Sequence, residues 1–168
     1  MKINSETEMI SFGEAIGSSL SVPCVIELVG DVGAGKTTIT RGIARGLGIS
    51  DEITSPSFTL SKRYESKDVA LVHYDFYRLS DPGIMSEELV ENINDLHTVV
   101  IVEWADSVVD LLPENHLKCT IKLNDDGSRE VLMDGFNGKI EGIFDGAFGN
   151  TSDNTFDNAF DDAFEEGK

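Results

Sequence analysis

The stretch Gly30-Asp31-Val32-Gly33-Ala34-Gly35-Lys36-Thr37-Thr38 fits the pattern G-x-x-x-x-G-K-[ST]. Glycines let such a segment curl around an anion, because they tolerate positive φ and carry no Cβ. The amides of residues 33 to 37 are expected to point inward, where a helix begins with its positive dipole end. Lys36 is then expected to reach the β- and γ-phosphates of a nucleoside triphosphate, with the Thr37 hydroxyl on a Mg²⁺ ion. Gly30, Asp31, Gly33, Ala34, Gly35 and Thr38 complete the expected phosphate-binding set.

The flanks supply the setting this loop requires. Upstream, Cys24-Val25-Ile26-Glu27-Leu28-Val29 reads as a buried strand. Downstream, Ile39, Ile43, Ala44 and Leu47 recur at helical spacing with Arg41 and Arg45 on another face, and Gly46 and Gly48 punctuate the end. Strand, glycine loop and helix together predict an α/β fold, a P-loop NTPase-like mixed sheet flanked by helices. A glycine-rich turn that happens to carry a lysine would not need these neighbours.

The chain of 168 residues is long enough to bury a core, and its 40% apolar content is ordinary for a globular protein. It has no run of eighteen apolar residues and no basic-then-apolar leader, so no membrane association is expected and the cytoplasm is the expected compartment. Cys24 and Cys119 read as buried free thiols, and His73, His97 and His116 lack metal-ligand spacing. A net charge of −18 makes a poor surface for gripping a polyanion, so any service to nucleic acid is expected to pass through a partner.

Reading from the N-terminus, Met1 to Asn4 is either a short strand or an unstructured start. Ser5-Glu6-Thr7-Glu8 has capping-box spacing ahead of the stripe Met9, Phe12, Ile16 and Leu20, which predicts a helix of about fifteen residues. Past the glycine loop and its helix, Ser55-Pro56-Ser57-Phe58-Thr59 is rich in hydroxyls. It is either a switch-like loop offering Ser or Thr hydroxyls to the γ-phosphate or its metal, or an ordinary turn into a strand. Phe58 to Tyr64 and Val69 to Asp75 read as an antiparallel pair around Glu65 to Asp68. A helix carrying Ile84, Leu89 and Ile93 follows Asp81-Pro82.

Val99 to Val102 is a run of β-branched residues closed by Glu103. A buried parallel strand ending this way sets the carboxylate at the sheet edge where nucleotides bind, so Glu103 is the candidate Mg²⁺ ligand beside Thr37. Asp75 offers a second carboxylate. Metal positioning and orientation of the attacking water are the two roles available, and spacing does not divide them. Alternation sends Trp104 to the opposite face from Glu103, into the core unless the chain turns there. Ala105 to Leu112 reads as helix, and Leu117 to Leu123 with Arg129 to Met133 as a hairpin around Asn124-Asp125-Asp126-Gly127.

The ordered set GDVGAGKTT, Arg41-Gly42, SPSFTL (Ser55 to Leu60), HYDFYRL (His73 to Leu79) and VEW (Val102 to Trp104) resembles the TsaE (YjeE) family of ATPases, over about residues 5 to 135. The resemblance implies a part in making threonylcarbamoyladenosine on tRNA, with TsaD and TsaB as partners and tRNA met only through them. By matched motif, Lys36 would bind phosphate, Thr37 and Glu103 would hold Mg²⁺, and Asp75 would support hydrolysis of ATP. Ser55 and Thr59 would lie on the switch-like loop and Trp104 near the nucleotide or the partner. Two departures stand out: Met85 to Asn94 lacks the family's usual Leu-Gly pattern, and a tail follows the ATPase domain of residues 1–136. In residues 137–168 the phenylalanines Phe144, Phe148, Phe156, Phe160 and Phe164 sit among Asp, Asn, Gly and Ala, and eight acidic residues face two lysines. A disordered or weakly helical appendage is expected there.

Two other readings of the loop compete with a partner-coupled ATPase whose turnover is slow alone. One is a nucleotide-dependent docking module with negligible hydrolysis; the other is a small-molecule kinase. The kinase lacks clustered arginines for a second phosphorylated substrate, since Arg41, Arg45, Arg63, Arg78 and Arg129 are scattered. No Asn-Lys-x-Asp segment is present to favour guanine.

Overall fold

The computed structural model describes residues 1–77, 79 and 81–135. Arg78 and the appendage expected over 137–168 lie outside the described residues. Among the described residues seven strands form one sheet: β1 (Lys2–Ile3), β2 (Cys24–Val29), β3 (Ser61–Glu65), β4 (Ala70–Asp75), β5 (Thr98–Glu103), β6 (Leu117–Leu123) and β7 (Arg129–Asp134). Their order across the sheet is β1-β7-β6-β2-β5-β4-β3. The four central strands β6, β2, β5 and β4 run parallel, while β3 and β7 join antiparallel to their neighbours at either flank and β1 pairs antiparallel with β7. The mixed sheet read from the hairpin spacings is therefore the observed one.

Alternation along each strand divides the core. Ile26, Leu28, Val99 and Ile101 pack under α1 (Glu6–Ser19) and α2 (Lys36–Gly46). Val72, Tyr74, Val100 and Val102 face the other way, against Leu89 of α3 (Ile84–Asn94) and Val108 and Leu112 beyond β5. Parallel strands covered on both faces need this continuous apolar run. Glu27 falls on the second face; its buried carboxylate meets His116 Nε2 and Lys118 Nζ, each at 3.2 Å, so its charge is compensated. Cys119 is buried and Cys24 half-buried, both as free thiols; burial pushes them up to about 12 and about 11, so both are neutral at physiological pH.

Helix α1 begins where the Ser-x-x-Glu spacing predicts, with Glu8 N donating to Ser5 Oγ at 3.1 Å. The return half of the box differs: Glu8 Oε2 accepts from Asn4 N rather than from the Ser5 amide. Helix α2 ends in a Schellman turn, Ile49 N to Ala44 O and Gly48 N to Arg45 O, both 2.9 Å, with Gly48 at φ 75°. Gly46 is not punctuation. It is the last residue of α2, and with Gly42 it faces Gly13 and Gly17 of α1; a Cβ on any of the four would collide with a backbone oxygen of the opposite helix.

Three other expectations are revised, and one left open is decided. The strand expected from Phe58 begins only at Ser61, because Thr59 N and Leu60 N both turn back to Pro56 O and Leu60 takes φ 65°. Residues 105–112 form two short 3₁₀ turns, Ala105–Ser107 and Val109–Leu111, separated by the non-helical Val108 and followed by Pro113. Ile84, expected on an apolar stripe, is 79% exposed, and Leu89 alone is buried in α3. Residues 2–3 do form a strand, held by pairing with β7. No helix among the described residues is long and apolar enough to cross a membrane.

Candidate functional site

Register brings the chemistry together. Glu103, last in β5, lies opposite Leu28 of β2 on one side and Asp75, last in β4, on the other. The glycine loop leaves β2 just past Leu28. Three strand ends thus converge at the C-terminal edge of the parallel sheet, the edge where ligands of open α/β sheets bind.

The loop adopts the backbone its glycines allow. Gly30, Gly33 and Gly35 have φ of 152°, 83° and 115°. At Gly30 a Cβ would strike Ile121 O, so that glycine is needed for close approach to β6 as well as for the turn. Gly35 caps α2 from the left-handed region and has no side chain to offer, so the first-turn amides from Lys36 onward stay available to a ligand.

Lys36 is only 5% exposed. Its Nζ donates to Gly30 O at 2.6 Å and Asp31 O at 3.0 Å, lies 3.8 Å from Glu103 Oε2, and sits 4.6 Å from the centre of the Trp104 ring. Trp104 has a left-handed backbone (φ 57°), which ends the strand's alternation; the half-buried indole lies over Lys36 while still packing against the second core cluster. Tyr77 packs against it with ring centres 4.8 Å apart.

Asp75, 3% exposed, accepts from the Ser57 hydroxyl and from Tyr77 N at 3.0 Å. Ser57 and Ser55 share a hydrogen bond of 2.7 Å, so the serine loop is tied directly to the end of β4. A cleft of about 360 Å³ opens between these groups, lined by Gly33, Gly35, Lys36, Thr37, Thr38, Ser55, Ser57, Asp75, Glu103 and Trp104 together with Val32, Phe58 and Tyr77. Gly30 and Asp31 lie behind it and meet Lys36 through their carbonyls; Ala34 is buried beneath the loop. Thr59 does not line the cleft and instead bonds Pro56 O at 3.4 Å.

Sequence reasoning passed over Ser57, Tyr77 and His73. His73 Nε2 lies 2.8 Å from Glu103 Oε1 in the interior. Alternation puts residues 73 and 75 on one face of β4, but that His73 meets Glu103 follows only from the register of β4 on β5. The groups lining the cleft that could meet a cation are oxygens, the hydroxyls of Thr37, Thr38, Ser55 and Ser57 and the carboxylates of Glu103 and Asp75, a set suited to a hard ion such as Mg²⁺. Among the described residues no three His, Cys, Asp or Glu side chains converge as a metal cage. Mg²⁺ ordinarily takes one or two protein groups, with phosphates and water completing its shell.

A family model described as "Threonylcarbamoyl adenosine biosynthesis protein TsaE" matches residues 3–131. The tRNA threonylcarbamoyladenosine biosynthesis protein TsaE of Bacillus subtilis is 39% identical over 118 residues, covering 70% of this chain and 73% of that one. Its namesake from Nostoc sp. is 34% identical over 131 residues, 76% of this chain and 80% of the relative. The crystal structure of Bacillus subtilis YdiB superposes with a TM-score of 0.69 at 30% identity, over 85% of this chain and 88% of the other.

Proposed function

This chain belongs to the TsaE family, and on that premise we propose that it is an ATPase supporting threonylcarbamoyladenosine modification of tRNA together with TsaD and TsaB. One observation carries the nucleotide reading. A nearly buried ammonium, Lys36, stands at the mouth of a positive-φ glycine loop that opens a helix, with a strand-end carboxylate 3.8 Å away. In the bound state Lys36 exchanges its own loop carbonyls for the β- and γ-phosphate oxygens, and the amides after Gly35 take the remaining phosphate charge. Thr37 and Glu103 are the groups that would hold Mg²⁺, and the ion when bound neutralises charge on the phosphates. Asp75 orients the attacking water, and its tie to Ser57 makes the serine loop responsive to what occupies the cleft. With a charge of −18 the chain meets tRNA through its partners.

A second reading, a docking module with negligible turnover alone, is favoured by the state of the two carboxylates. Asp75 already accepts from Ser57 and Tyr77, and Glu103 is engaged by His73 and Lys36. Phosphate release measured with and without TsaD and TsaB separates the two: turnover that appears only with the partners supports partner-coupled hydrolysis, and none in either case supports docking. The nucleotide reading is tested by calorimetry with ATP and Mg²⁺. Lys36→Ala is expected to weaken binding by about 3 kcal/mol, roughly a hundredfold in Kd, through loss of charge-assisted hydrogen bonds. Equal affinity of the two proteins would remove the role of Lys36, and no uptake by the parent chain would remove the reading.

A further inference from the structure

His73 occupies a fully buried position in the middle of a central strand, 0% exposed, where neighbours such as Leu71, Val72 and Ile101 are aliphatic. A polar ring there is costly unless satisfied, and this one is satisfied on one side only. Nε2 meets Glu103 Oε1 at 2.8 Å, while Nδ1 has no hydrogen-bond partner among the described residues. An aliphatic side chain would leave no ring nitrogen unmet but would strand Glu103 Oε1, so the histidine is explained by its carboxylate partner rather than by packing.

What it does explain is the posture of Glu103. One carboxylate oxygen, Oε1, is taken by the imidazole, and the other, Oε2, is left toward Lys36 and the loop. A carboxylate oxygen accepts, so in this bond Nε2 is the donor. Glutamate has three side-chain torsions, and without this bond its carboxylate is free to turn its second oxygen away from the cleft.

We propose that His73 is a positioning residue: from beneath the site it clamps Oε1 of Glu103 and so presents Oε2 to a divalent cation bound with the nucleotide. The inference rests on the nucleotide reading above, and it gives a second, buried layer to a site whose outer layer is Thr37 and Glu103. Loss of comparable hydrogen-bonding partners behind the ligands weakens metal sites by roughly 10–100-fold.

The test uses the full chain and three proteins: parent, His73→Leu and His73→Gln, the last keeping an N–H donor near the position of Nε2. ATP binding is titrated against magnesium, and also measured in EDTA. His73→Leu is expected to raise the half-saturating Mg²⁺ concentration about tenfold or more and to leave EDTA-state ATP binding unchanged, while keeping a cooperative thermal melt. His73→Gln is expected to recover most of that loss, which a purely structural role would not produce. A second readout needs no nucleotide: long-range ¹H–¹⁵N spectra of the parent should report an Nε2-protonated His73 whose signals move in Glu103→Gln. An unchanged magnesium dependence in His73→Leu, or an Nδ1-protonated ring, would overturn the inference. Failure of the parent itself to bind ATP with magnesium would instead overturn the reading on which it rests.

Discussion

At Trp104 a single backbone angle decides where the largest side chain in the protein goes. Alternation after Glu103 sends it inward, but its φ of 57° turns the chain and lays the indole over Lys36. A left-handed non-glycine residue costs roughly 1–2 kcal/mol, which the indole's contacts with Lys36 and Tyr77 help to offset. Substituting alanine keeps the strain and loses the ring; substituting glycine loses the ring and relieves the strain. In urea unfolding, Trp104→Gly is therefore expected to be about 1 kcal/mol more stable than Trp104→Ala, the reverse of the usual ranking. Equal stabilities would mean that the turn carries no strain. The glycines of the loop were legible at this scale, since each takes a positive φ that a tight turn requires. Ser57 and His73 were not: what singles them out is their distance to Asp75 and Glu103 across a turn and a register that no local pattern records.

Helices α1 and α2 carry the loop, and their fit depends on absent side chains. Gly13 and Gly17 face Gly42 and Gly46, spaced by four on each helix, so the two backbones touch directly. Helix propensity favours alanine over glycine by about 1 kcal/mol, yet a Cβ at Gly17 would overlap the carbonyl of Ile43. Overpacking of this kind costs typically 1–3 kcal/mol and here meets backbone, so Gly17→Ala is expected to lose about 2 kcal/mol of stability net by urea unfolding. A gain in stability would show that the helices separate easily. The same shift would move Lys36, because α2 begins at that residue. Hydrophobic periodicity predicted both helices, since each has an apolar stripe; it could not reveal that their contact is made by glycine, because a missing side chain leaves no hydrophobic signal. Periodicity also overreached after β5, where Val108 and Pro113 break an apparent helix into two 3₁₀ turns.

Across the whole molecule, long-range ties fasten the N-terminal strand to the far edge of the sheet. Lys2 Nζ bonds Asp126 Oδ2 at 2.8 Å in the β6–β7 turn, 124 residues away. The Lys2 ammonium, then the Ser128 hydroxyl and amide, hold the Asp126 carboxyl well below the ordinary carboxylate range. Asp95, at the turn into β5, is lowered by the His97 amide and the Thr98 hydroxyl. For a group whose folded pKa is depressed, the contribution is present above the unfolded value, near 3.9, and is lost as pH falls toward the folded value. Thermal stability is therefore expected to decline from about pH 4 downward, and Asp126→Asn is expected to flatten that decline. An identical acid slope in the variant would remove Asp126 from the account.

By itself the sequence determined most of the elements and the turn of the glycine loop, because a tight turn into a helix needs glycine at fixed local spacing and a buried parallel strand needs an unbroken apolar run. It also determined that the sheet is mixed, since short polar turns can join only antiparallel neighbours. The tertiary structure alone decided which strand ends meet. Pairing β5 between β2 and β4 puts Glu103 beside the glycine loop, Asp75 beside Glu103 and His73 beneath it. Those neighbours lie about thirty to seventy residues apart in the chain, and their proximity follows from register, a property of pairs of strands that no single segment encodes.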